Sequence, residues 1–279
     1  MDSFFPMLKS SLSIMIPIFF AALGGLFPAL AGSLNIALEG LLLIGAFSSL
    51  AVYHFSGSIT AAIFAAIISS MILCILHIIT AFKLKANIFI CGLAVNLFSS
   101  GICIVLSEKL FNTKGVIALN AVYGLRNWYL LSGLILLFLS WIAIYKTPFG
   151  YRLRACDKNS SSLISLGIKP HIYQIIAIMI SGFFCGIGGS FLSLNLGAFV
   201  PGMSAGKGWI VLAVIFLGVR KPIGILFGAL IFAIAESFSN YAQGFWNIPA
   251  DFILAFPYVC TLIIMILVSI VPEKFGMRN

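Results

Sequence analysis

The sequence predicts an all-α polytopic membrane protein, and three observations carry that reading. Hydrophobic residues make up 62% of the 279 positions and charged residues 8%, where a soluble domain runs at about 45–50% apolar and about 25% charged. Apolar runs recur from residue 11 to residue 271, and a spanning helix needs about 20 mostly apolar residues. Segments such as ILLFLSWIAIY (135–145) are apolar all round, which disfavours a membrane barrel, whose strands alternate apolar and polar over about ten positions. The chain reads as a single transmembrane domain over 1–279 with about nine crossings.

The first crossing is expected near 11–31. A lysine ahead of an apolar run gives this start the look of a secretory signal, but Pro17 and Pro28 lie inside the run and the apolar pattern continues into further spans, so a retained helix is expected. Further crossings are expected near 39–54, 59–81, 87–106, 128–145, 172–195, 208–219, 223–243 and 251–271. Cytoplasmic loops carry an excess of Lys and Arg. Lys83 with Lys85, the basic run 146–169, Arg220 with Lys221, and Lys274 with Arg278 all fall on one side of this layout. That side is read as cytoplasmic, with the C-terminus on it and the N-terminus outside. Segment 107–127 is then external, against the grain of Lys109, Lys114 and Arg126.

Two helices are expected to be interrupted inside the membrane, near 24–40 (GGLFPALAGSLNIALEG) and near 188–208 (GGSFLSLNLGAFVPGMSAGKG). Each holds a Gly-Gly pair, a Pro and an Asn. Non-helical backbone at membrane depth is tolerated only where protein or a water-filled cavity covers it, and paired Gly/Pro-interrupted segments point to a transport site. The competing reading is close helix packing through small residues, which the GxxxG spacings Gly182/Gly186 and Gly224/Gly228 suit.

Polar residues inside apolar spans are costly and usually face a bundle interior or a cavity. The candidates for a translocation pathway are Asn35, Glu39, Asn96, Asn195, Glu236 and Asn240. Glu39 is the one charged residue between Lys9 and Lys83. At the start of a crossing on the cytoplasmic side it is favoured by the helix dipole, as a structural cap or gate beside the pathway, or else it contacts the solute. The cap reading expects Glu39→Gln to keep assembly and most uptake. For Glu236 the alternatives are a solute contact and a buried interhelical hydrogen bond.

No catalytic, cofactor-binding or metal-ligating constellation is visible. Cysteines and histidines are scattered without CxxC or metal spacing. GMSAGKGW (202–209) is one residue short of a phosphate-binding loop and has Gly208 where that motif needs Ser or Thr. Nucleotide binding by this chain is therefore excluded, and any ATP-driven role needs a separate ATPase.

The longest polar loop, KTPFGYRLRACDKNSSSLISLGIKPH (146–171), sets five basic residues against Asp157 alone. Asn159 or Ser160 can cap a short helix, Leu163, Ile164 and Leu166 supply its apolar face, and Gly167 with Pro170 ends it. Such a short helix is unstable alone in water, so it requires a docking surface, either lipid headgroups or another protein.

SLNIALEGLLLIGAF (33–47) resembles a signature of ATP-binding-cassette importer permeases of the branched-chain amino acid, simple-sugar and nucleoside type, closest to the shorter nucleoside-type subunit. TPFGYRLRACDKNSSSLISLGI resembles that family's cytoplasmic coupling segment, and GMSAGKGWIVLAVIFLGVRKPIGILFGALIFAIAES its late block. Ala37, Cys156 and Asp157 depart from the pattern, which has Gly or small residues there. The resemblance implies two pseudo-symmetric helical halves and a place in the cytoplasmic (inner) membrane. Its implied partners are an ATPase carrying ATP and Mg, a second permease subunit forming a heterodimer, an extracytoplasmic solute-binding protein and membrane lipids, with no nucleic acid. It assigns ATPase coupling to 146–171, with Gly150, Arg152, Arg154, Asp157, Leu163, Ile164, Leu166 and Gly167 as its residues. The expected solute is nucleoside-like, with riboflavin, simple sugars or branched-chain amino acids as alternatives. An ion-coupled secondary transporter is the reading from another class.

Overall fold

The computed structural model describes residues 4–119 and 124–242. Ten helices follow in order: α1 (Phe4–Leu30), α2 (Leu38–Ser56), α3 (Ile59–Ile78), α4 (Ile88–Phe111), α5 (Leu125–Tyr145), α6 (Pro148–Lys158), α7 (Ser160–Ser165), α8 (Pro170–Leu196), α9 (Lys207–Leu217) and α10 (Pro222–Ala242). A π-helical turn, Ile79–Lys83, closes α3, and two short strands, β1 (Ile117–Ala118) and β2 (Ala198–Phe199), pair antiparallel. Seven of the helices are long and apolar enough to cross a membrane, and the protein is a multi-pass α-helical membrane protein.

The expected crossing at 208–219 is corrected. Its helix, α9, has 11 residues, about 16 Å at 1.5 Å per residue, too short for a hydrocarbon core about 30 Å thick. The expected span at 251–271 lies outside the described residues. The two expected interruptions fall inside their ranges but are shorter than them. α1 runs through Gly24, Gly25 and Pro28, and its break is at 31–37; α8 runs through Gly188 and Gly189, and its break is at 197–206.

α1, α2 and α8 form the centre. Of the most apolar window of α1, 83% is buried, against 22% for α5, so α5 belongs to the outer wall and α1 to the core. Glycines permit the close approach of α2, α3 and α8. The Gly45 and Gly186 backbones nearly touch, and a Cβ on Gly186 would meet the Ile67 Cα at 2.5 Å. Small residues let backbones pack where lipid supplies no hydrophobic drive. Serine hydroxyls add cross-links between helices: Ser49 to Ser193 at 2.8 Å, Ser70 to the Leu41 carbonyl at 2.8 Å, and Tyr129 to Ser190 at 2.7 Å.

These contacts also give direction. Gly182 lies against Cys74 and Gly186 against Ile67, so α3 descends beside ascending α8 and Lys83 ends near the start of α8. Arg220, at the α9–α10 turn, pairs with Asp157 of α6 at 2.8 Å. Lys83, Lys85, α6, α7 and the α9–α10 turn thus share one basic face of the bundle. The β1–β2 pair and the stacked rings of Phe55 and Phe111 mark the opposite face. Because α8 and α10 both start at the basic face, the chain must return between them, and it does so through β2, a run of turns over 201–206 and then α9.

Candidate functional site

The break after α1 turns back into the bundle. Gln174, near the foot of α8, donates to the Ala31 carbonyl at 3.1 Å. Four residues later Asn35, fully buried, donates to the Ser181 hydroxyl at 2.7 Å. Ser181 is the twelfth of the 27 residues of α8, so the non-helical stretch 31–37 climbs to the middle of the bundle before α2 begins. The sequence reading put Glu39 at the cytoplasmic end of a crossing; the structure puts it roughly 16 Å along α8 from that end, at 1.5 Å per residue.

Two asparagines hold this deep helix start. Asn35 Oδ1 accepts from the Ala37 amide at 2.9 Å, the two-residue turn that an asparagine side chain closes on its own backbone. Asn96, on α4, accepts from the Gly40 amide at 2.8 Å and donates to the Ile36 carbonyl at 2.9 Å. Asn35 and Asn96 thus satisfy backbone groups that membrane interiors leave without water.

Glu39 does not cap its own helix. Its Oε1 accepts from the Gly206 amide at 2.9 Å and its Oε2 from the Gly208 amide at 2.6 Å, both at the N-terminus of α9. Gly206 adopts φ +78°, the left-handed conformation that glycine enters without steric cost. A Cβ on Gly208 would lie 2.5 Å from the Glu39 Cα, so the helices meet there backbone to backbone. Two helix N-termini, α2 rising and α9 descending, converge at mid-depth around one carboxylate. Each end carries about half a positive charge, which the anion offsets.

Between the two capped glycines stands Lys207. Its Nζ lies 3.0 Å from Glu236 Oε1 of α10, with side-chain exposures of 11% and 21%. Lys207, Glu236 and Asn195 line one cavity of about 240 Å³, with Ser10, Ser13 and Phe191 in its wall. The structure therefore joins Asn35, Glu39 and Asn96 in one cluster and Asn195 and Glu236 in a second, and Lys207 bridges them. Asn240 is exposed and outside both clusters. Lys207, Gly206 and Gly208 are functional candidates that the sequence reading passed over. The available signal was charge: Glu236 is the sole acid between Asp157 and Asp251, and a lysine at membrane depth needs a counter-charge.

The basic loop 146–171 holds two helices, not one. Thr147 caps α6, accepting from the Gly150 amide at 3.3 Å, and Pro148 occupies its first turn, where its missing N–H costs nothing. Gly150, Leu153 and Cys156 form the buried face; Gly150 sits under the carbonyls of Ala143 and Ile144. Burial pushes the Cys156 thiol above its ordinary range. α7 begins after Asn159, whose side chain makes no capping bond, and ends with Gly167 at φ +74°. Its expected apolar face divides: Leu163 is 6% exposed and points into the core, whereas Ile164 and Leu166 are 64% and 74% exposed. Arg152 donates to the Tyr173 hydroxyl at 3.0 Å. Arg154 lies over the rings of Tyr145 and Tyr151 at 4.9 and 5.1 Å. Asp157, through Arg220, ties α6 to the foot of α9.

Similarity to known proteins agrees with this architecture. A solved structure, PsaBC from Streptococcus pneumoniae in complex with Fab, superposes with a TM-score of 0.55 at 16% identity, covering 93% of this chain and 91% of that one, a likeness of fold. The nucleoside ABC transporter permease protein NupC of Lactococcus lactis subsp. cremoris is 30% identical over 94% of this chain and 92% of its own length. The guanosine ABC transporter permease protein NupQ of Bacillus subtilis is 29% identical, over 88% and 86%. Residues 7–269 match the family described as branched-chain amino acid transport system / permease component. With that match spanning nearly the whole chain and the interrupted helices meeting at mid-depth, the protein belongs to this family of transport permeases.

Proposed function

We propose that the chain is the permease subunit of an ATP-binding-cassette importer that carries a nucleoside-like solute across the cytoplasmic membrane. The observation that carries the reading is the pair of half-buried helix starts around Glu39, next to a cavity that holds the Lys207–Glu236 pair, in a chain related along its length to nucleoside permeases. The two breaks, after α1 and after α8, are read as corresponding features of two pseudo-symmetric halves. The basic face is cytoplasmic on the excess of Lys and Arg there, and the C-terminus lies on that side.

A separate ATPase binds ATP and Mg and docks on 146–171 through Ile164 and Leu166, with Arg152 and Arg154 beside them. Gly150 and Gly167 shape α6 and the end of α7. Movement of α6 passes through Asp157 and Arg220 to α9, whose other end carries the Glu39 and Lys207 contacts. A second permease completes the path as a heterodimer, and a solute-binding protein delivers from outside. ATP drives the cycle because it binds one of the two permease states better than the other.

Reconstituted with both partners in liposomes, the complex is expected to accumulate labelled guanosine only when ATP is inside with the ATPase. Competition by riboflavin, glucose or leucine in place of nucleosides would reassign the solute. Uptake by this chain alone on an ion gradient would refute the importer reading.

A further inference from the structure

We propose that the Lys207–Glu236 cavity, between α1, α8, α9 and α10, is a subsite for the vicinal hydroxyls of a pentose, the sugar part of the transported solute. The proposal rests on the nucleoside reading above and adds which atoms of the solute this chain reads.

Glu236 Oε1 takes the Lys207 bond at 3.0 Å, while Oε2 is shielded from solvent and has no hydrogen-bond partner among the described residues. A buried carboxylate oxygen without a donor is costly, and the carboxylate turns about a soft terminal torsion, so either oxygen can meet a ligand in the cavity. Lys207 has three N–H donors, and its bond to Glu236 uses one. The site therefore lacks one donor for the carboxylate and acceptors for the ammonium. A hydroxyl is both donor and acceptor, and two adjacent hydroxyls span a carboxylate and an ammonium together.

Charge and size narrow the ligand further. The pair is neutral overall, which suits an uncharged polyol and opposes a phosphate by placing it against Glu236. The cavity, about 240 Å³, is smaller than the roughly 300–1,000 Å³ that encloses a drug-sized ligand. It accepts a sugar ring, and the base extends beyond it. Asn195, exposed at the cavity wall, supplies an amide that both donates and accepts.

The test uses the whole importer in liposomes and compares inhibition of guanosine uptake by guanosine, its 2′,3′-dideoxy analogue and free D-ribose. A hydrogen bond to a charged group is worth about tenfold or more in affinity. The ratio of dideoxy to ribonucleoside inhibition constants is expected to fall about tenfold or more on Glu236→Gln. Because that ratio is taken within each variant, selectivity built into the solute-binding protein cancels. Asn195→Cys provides a second readout, since its labelling by a maleimide should be slowed by guanosine and by ribose but not by the dideoxy analogue. Uptake of guanosine with an unchanged ratio and no protection overturns the subsite and leaves the nucleoside reading intact. Failure to carry guanosine, with protection by ribose, overturns the nucleoside reading alone. Transport restricted to a solute without vicinal hydroxyls overturns both.

Discussion

Glu39→Gln changes one atom at the meeting point of α2 and α9 and breaks the symmetry of its two bonds. The carboxylate accepts from Gly206 and Gly208 together. A glutamine has one oxygen and one NH2, so one of those amides then faces a donor. Losing a hydrogen bond to a charged group costs about 1.5–3 kcal/mol, and removing the anion from a helix N-terminus costs about 0.3–1 kcal/mol more. The sum, roughly 2–4 kcal/mol, falls on the docking of α9 rather than on any one span. It reverses the expectation, drawn from sequence, that this substitution keeps most uptake. Hydrogen exchange in nanodiscs reads it locally: 2 kcal/mol speeds exchange of the 206–209 amides by about 30-fold, with uptake falling in parallel. Exchange within about threefold of the parent at unchanged uptake would refute the idea that this carboxylate pins α9; threefold corresponds to well under 1 kcal/mol.

Two further substitutions probe neighbouring claims. Gly208→Ala places a methyl 2.5 Å from the Glu39 Cα, where only backbone can give way, so the subunit should still insert but lose uptake; uptake at the parent level would mean that the two helix ends do not meet. In α7, Leu163→Asp buries a carboxylate at a 6% exposed position and Ile164→Asp puts one at a 64% exposed position. The first should cost at least the roughly 2–5 kcal/mol of a core leucine truncation, seen as loss of assembled complex by size exclusion. The second should leave the permease itself folded while weakening its hold on the ATPase and abolishing solute-stimulated ATP hydrolysis, and identical behaviour of the two variants would contradict the split face.

Hydropathy exposes the long helices because each must bury or wet nearly twenty apolar residues on its own, so α1 to α5, α8 and α10 are legible, although α1 begins at Phe4, ahead of the expected 11, and α4 runs on to Phe111, past the expected 106. Depth is not legible in that way. Residues 31–37 (AGSLNIA) and 197–206 (GAFVPGMSAG) are short and built mostly of small and apolar residues, and nothing local says that the first climbs to the middle of α8. The six polar pathway candidates were found because polarity in an apolar run is conspicuous, but the partition of Asn35, Glu39 and Asn96 from Asn195 and Glu236 depends on which helices pack together. Lys207 was hidden by a resemblance to a phosphate loop that drew attention to spacing instead of charge. α6 carried a readable sign, Thr147 followed by Pro148. The inward turn of Leu163 carried none, because α7 has six residues, under two turns, too few to display a periodic face.

The bond between Glu39 and α9 also sets an order of assembly. Its two amide partners follow 167 and 169 residues later in the chain, so at about 5–20 residues per second of synthesis the carboxylate waits roughly 8–34 s for them. During that interval the nascent α1–α2 hairpin holds an unmatched anion, which is expensive in hydrocarbon and tolerable near the headgroups. A position near the headgroups is the lower-energy one for that charge until residue 208 has been made. A product cut short before that point lacks both amide partners of Glu39.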